Sequence, residues 1–63
     1  MNSQQIANIL KSQGFKTQVN GNEVIVSLNR KLSKMEVQVA LINEVPEEVV
    51  YQNGNNVIVV GVE

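Results

Sequence analysis

Asn53 to Val62 reads Asn-Gly-Asn-Asn-Val-Ile-Val-Val-Gly-Val and is the most apolar run of the chain. Asn20 to Val26 reads Asn-Gly-Asn-Glu-Val-Ile-Val, which matches Asn53 to Val59 at six of seven positions, 33 residues earlier. Each phrase opens on Asn-Gly, a residue pair suited to the tight turn of a hairpin, and continues into β-branched residues that favour a strand. Two hairpins built to one plan are therefore the frame from which the rest of the chain is read.

Working outward, each hairpin is preceded by a helix signal. Asn2 with Gln5 forms a capping-box pattern, flanked by Met1 and Ile6 as a hydrophobic staple, and Ile6, Ile9 and Leu10 make one apolar face. Gly14 ends this helix, and Phe15 folds back on its last turn. At an offset of 31, Ser33 with Glu36 repeats the box and Leu32 with Val37 the staple, predicting a helix that runs to about Glu44, ahead of Pro46. The alternation of Met35, Val37, Val39 and Leu41 offers a rival strand; the box, the staple and the repeat favour the helix. Val45 to Glu48 then connects to the second hairpin.

With Asn20-Gly21 at the centre of a type I′ turn, Phe15, Thr17, Val19, Val24, Val26 and Leu28 share one face of the first hairpin. Lys16, Gln18, Glu23, Ile25, Ser27 and Asn29 share the other. Centring the second hairpin on Asn53-Gly54 puts Val50, Val57 and Val59 on its core face. The predicted order is αββαββ: a single α+β domain over residues 1–63, with pseudo-repeats 1–29 and 30–63. Its four-stranded antiparallel sheet carries both helices on one face.

The two halves differ where they should be polar. Gln4, Asn8 and Lys11 on the first helix correspond to Met35, Val39 and Ile42 on the second, opposite its core stripe. On the hairpins, Lys16, Gln18, Ile25, Ser27 and Asn29 correspond to Val49, Tyr51, Ile58, Val60 and Val62. The last strand is thus apolar on both faces, which fits a strand covered on both sides and exposes a bare one to aggregation. Two readings follow. A curled sheet or a central position for this strand buries it within one monomer, or a partner covers it, most simply a second copy packing sheet back on sheet back. The interface then consists of Val49, Tyr51, Ile58, Val60 and Val62, aided by Met35, Val39 and Ile42.

Composition narrows the function. At 63 residues, with neither Cys nor His, the chain lacks the disulfides and zinc sites that stabilise many small domains, which raises the weight of oligomerisation. Catalysis through His, Cys or Asp is closed, since none of the three is present, and a non-enzymatic protein without cofactor or metal is expected. Glu47 and Glu48 read as a solvated turn pair, and Gly61 as a strand glycine whose expected setting is a bulge. Without a basic-then-apolar leader or an apolar run long enough to span a bilayer, the chain reads as cytoplasmic, with no membrane partner.

Charge is sorted along the chain. Residues 1–34 carry five cations and one anion, residues 35–63 five anions and no cation. The cluster Arg30, Lys31 and Lys34 at the start of the second helix, with Lys11 and Lys16, supports an alternative reading as a nucleic-acid-binding protein. Against it stand a net charge of −1 and only two aromatic residues for stacking on bases. A third reading is a small inhibitor presenting its acidic C-terminal half to a basic site. The favoured one is an interaction module, a small accessory or regulatory factor, that self-associates as a homodimer through the C-terminal hairpin or meets another protein there.

Overall fold

A computed structural model describes residues 1–42 and 49–61 of the chain. Its elements are α1 (Ser3–Ser12), β1 (Lys16–Asn20), β2 (Glu23–Ser27), α2 (Lys34–Leu41), β3 (Val49–Asn53) and β4 (Asn56–Val60). The chain is an α+β domain in which two helices pack on a four-stranded antiparallel sheet of order β1-β2-β4-β3.

Both helices begin at a complete capping box. The Asn2 side chain accepts from the Gln5 amide at 2.9 Å while Gln5 Oε1 accepts from the Asn2 amide at 3.0 Å, so two donors at the helix start are satisfied reciprocally. Ser33 and Glu36 do the same for α2. The stretch Met35–Leu41 is therefore helical, and the alternating strand reading fails because the cap fixes the helix start. At the other end of α1, the Phe15 amide donates to Leu10 O and the Gly14 amide to Lys11 O, with Gly14 at φ +96°, which is a Schellman closure. Helix α2 ends at Leu41 with Ile42 as C-cap, earlier than Glu44. The expected connection Val45–Glu48, with its Glu47-Glu48 turn, lies outside the described residues, and so does Val62.

Both hairpins turn one residue later than the Asn-Gly pairs suggest. Asn20 pairs with Glu23 and Asn53 with Asn56, so the central residues are Gly21-Asn22 and Gly54-Asn55. The two glycines stand at φ +63° and +60°, and among the described residues no other residue type has positive φ. This is the type II′ pattern, which needs one left-handed residue where type I′ needs two; glycine fills it and no asparagine is strained. Moving the turn centre by one residue slides the register by two, so every side chain keeps its face.

The core lies between the helices and the inner face of the sheet. Ile6, Ala7 and Leu10 from α1, Val37 and Leu41 from α2, Leu32 ahead of α2, and Val24, Val26, Val50, Val57 and Val59 from the sheet are all buried. Ile9, Phe15, Leu28 and Ala40 pack at its margin. Val19 departs from expectation: on the edge strand β1, with no strand beyond it, it is 40% exposed.

Each turn is tied to the rest of the fold at the same two carbonyls. Gly21 O accepts from Ser3 Oγ at 2.8 Å and Asn22 O from the Gly61 amide at 2.6 Å. Gly54 O accepts from Gln52 Nε2 at 2.9 Å and Asn55 O from the Leu32 amide at 3.0 Å. Gly61 follows β4 directly and is buried, and no strand bulge is involved. A Cβ there meets Ser3 N at 2.7 Å and Asn2 C at 3.0 Å, so the missing side chain is what lets the start of α1 lie on the end of β4.

Candidate interaction surfaces

Because every buried residue of the sheet faces the helices, the other face is left to the residues of opposite parity. Across the strands one row reads Gln18, Ile25, Ile58, Tyr51 and the next Asn20, Glu23, Val60, Val49. Five apolar side chains thus adjoin one another over β2, β4 and β3. Ile25, Ile58 and Val60 are half-buried by their neighbours, whereas Val49 and Tyr51, on the edge strand, are 48% and 53% exposed. The central position of β4 accounts for part of its apolar outer face, since flanking strands shield Ile58 and Val60. It does not account for Val49 and Tyr51, over which no described residue packs a helix.

Met35, Val39 and Ile42 do not join this surface. They lie on α2 at 70%, 63% and 59% exposure, while Val37 and Leu41 of the same helix point into the core. At about 100° per residue the exposed stripe looks away from the sheet. The interface residues read from the sequence therefore divide between two surfaces on opposite layers of the domain.

Arg30, Lys31 and Lys34 stand together at the start of α2, while Lys11 and Lys16 belong to α1 and β1. Arg30 is held bidentately by Glu36, with Nη2 at 2.5 Å from Oε1 and Nη1 at 3.1 Å from Oε2, and its Nη1 also donates to Lys31 O. These hydrogen bonds from Arg30, followed by the amide of Ser33, hold the Glu36 carboxyl down to about 2. Lys16 donates to Asn29 Oδ1 at 2.9 Å on the outer face of the sheet edge. Lys11 stands in the last turn of α1 and Lys34 in the first turn of α2, with Lys31 in the loop before it.

One structural contact was not read from the sequence. Gln52 occupies an inner-face position opposite Val57, where a nonpolar residue is expected. Its Oε1 accepts from the Lys34 amide at 2.7 Å, and its Nε2 donates to Leu32 O at 2.7 Å as well as to Gly54 O. It clamps the start of α2 to the second turn. The sequence signal was a break in alternation: glutamine stands where the first hairpin has Val19, 33 residues earlier.

Comparison with known proteins adds no relative. No family model, curated protein or solved structure matches the chain. Among the described residues no helix is long and apolar enough to cross a membrane.

Proposed function

We propose that the protein is a non-enzymatic interaction module that self-associates as a homodimer by packing the outer face of its sheet against that of a second copy. The observation that carries this reading is the contiguous group Ile25, Val49, Tyr51, Ile58 and Val60 on a face that neither helix covers. Four strands of five residues make a face of about 19 by 17 Å, and back-to-back pairing of two such faces buries on the order of 650 Å² in total. That is below the usual size of a stable interface, so the association proposed here is a weak one, tuned by concentration. The nucleic-acid alternative draws less support, because Arg30 is committed to Glu36 and Lys16 to Asn29.

The test is sedimentation equilibrium on four chains: the wild type, Tyr51→Lys, Val60→Lys and Ser27→Lys. Ser27 shares the outer face and stands 33 residues before Val60, but lies in a polar part of it. Dimerisation is expected to be lost in Tyr51→Lys and Val60→Lys and kept in Ser27→Lys. Equal behaviour of the three variants would refute the assignment.

A further inference from the structure

The two hairpins carry the same tripeptide at their tips, Asn20-Gly21-Asn22 and Asn53-Gly54-Asn55. An asparagine followed by glycine is open to attack on its own side-chain amide, because no Cβ shields the following backbone nitrogen. In both turns the asparagine and the glycine are exposed. Among the described residues neither asparagine side chain holds a hydrogen bond and neither glycine amide donates one, so both reacting groups are uncommitted. Asn22 and Asn55 are exposed as well, but Glu23 and Asn56 follow them, and a side chain on the following residue hinders the same approach.

What restrains the reaction is the fold. Asn20 and Asn53 end β1 and β3, in extended backbone that holds the side-chain carbon away from the next nitrogen. Ring closure needs rotation about the asparagine Cα–C bond, which breaks the pairing of Asn20 with Glu23, or of Asn53 with Asn56, and opens the turn. The two turns resist opening unequally. Each has one carbonyl held by a backbone amide, Asn22 O by Gly61 and Asn55 O by Leu32. The other carbonyl of the first turn, Gly21 O, is held by Ser3 Oγ, a single hydroxyl in the first turn of α1. Its counterpart Gly54 O is held by Gln52 Nε2, and Gln52 is itself anchored to the Lys34 amide and to Leu32 O. The second turn is thereby braced against the start of α2.

We propose that Asn20 and Asn53 are sites of spontaneous deamidation gated by opening of their turns, and that Asn20 converts first because Gln52 protects Asn53. The glycine nitrogen, having lost its proton to water, bonds to the asparagine Cγ. The bond from Cγ to Nδ2 breaks, and ammonia leaves with a proton taken from water, closing a succinimide. A second water opens the ring at Cγ to give aspartate, or at the main-chain carbonyl to give isoaspartate, whose backbone runs through the side-chain carbon. Each event adds a carboxylate at the end of a hairpin. At Asn20 it stands opposite Glu23, a like-charge pair that loosens the strand ends.

The test is incubation of the folded protein at physiological temperature and mildly alkaline pH, with timed samples digested by trypsin. The peptides 17–30 and 35–63 each hold one Asn-Gly pair. Tandem mass spectrometry locates the unit mass gain, and isoaspartyl methyltransferase labelling detects the rearranged product. The chain unfolded in urea is the reference, where identical tripeptides react at equal rates. In the folded protein both sites are expected to slow, with Asn20 ahead of Asn53 and both ahead of Asn22. Gln52→Ala, checked for folding by circular dichroism, should speed Asn53 by about two- to tenfold, the factor for one lost hydrogen bond, and leave Asn20 unchanged. Ser3→Ala should speed Asn20 alone. Conversion at Asn20 and Asn53 no faster than at Asn22 overturns the assignment of the sites. Equal rates at the two sites in the folded wild type overturn the gating, as does an unchanged Asn20 rate in Ser3→Ala or a Gln52→Ala that speeds both sites alike.

Discussion

Replacing Gly61 by alanine tests the packing of the first helix against the last strand. Elsewhere, a glycine whose φ suits any residue gains stability on replacement by alanine, by about 0.4–1 kcal/mol, because the unfolded chain loses freedom. Gly61 is not in the left-handed region, so that gain is available to it. The surroundings reverse the sign. The new Cβ falls 2.7 Å from Ser3 N, 3.0 Å from Asn2 C and 3.1 Å from Ser3 Cα, all backbone atoms fixed by the capping box of α1. Relief requires α1 to move off the strand, which loosens Ile6 and Leu10 in the core and strains the 2.6 Å bond from the Gly61 amide to Asn22 O. Overpacking of this kind costs about 1–3 kcal/mol, a large share of the roughly 3–9 kcal/mol expected for a domain of this size. Urea unfolding followed by far-ultraviolet circular dichroism, at several protein concentrations to separate folding from association, measures it. The midpoint should fall by about 1–2 M with the slope unchanged. A variant as stable as the wild type, or more stable, would show that the approach of α1 to Gly61 is not tight.

Two further substitutions probe the joints of the fold. Gln52→Ala should lower stability by about 1–3 kcal/mol in the same urea assay, and Gln52→Glu by more, because a carboxylate keeps the bond from the Lys34 amide but faces Leu32 O and Gly54 O with no hydrogen to offer. Glu36→Gln keeps an acceptor for the Ser33 amide and removes the charge that Arg30 holds. The Glu36 carboxyl titrates lower folded, at about 2, than unfolded, so its ion pair adds stability above the ordinary carboxylate range and loses it as pH falls toward 2. Acid titrations of thermal stability should therefore converge for wild type and variant near pH 2, and separation that persists unchanged there would discount the pair.

Much of the fold was legible because its signals are local. The capping boxes at Asn2 and Ser33 use residues three apart, and the alternation of Val24, Val26, Val57 and Val59 marks the core face without knowledge of any neighbour. The turn was misplaced by one residue in each hairpin because Asn-Gly and Gly-Asn both make two-residue turns. The face assignment survived because a register slide of two preserves parity. The apolar outer stripe of α2 and the apolar back of the second hairpin were both visible as departures from the first half. That they lie on two separate surfaces was not visible, since only the packing of Val37 and Leu41 into the core shows which way Met35, Val39 and Ile42 look.

By itself, then, the sequence determined the αββαββ order, the two capped helix starts and the residues that seek burial, because each depends on atoms close along the chain. The tertiary structure decided the strand order that brings Ile25 beside Ile58, the commitment of Arg30 to Glu36, the clamp made by Gln52 and the close approach at Gly61. All but the Arg30 pair join residues 18 or more apart in sequence, where the spacing of side chains along a strand or helix carries no information about which segments meet.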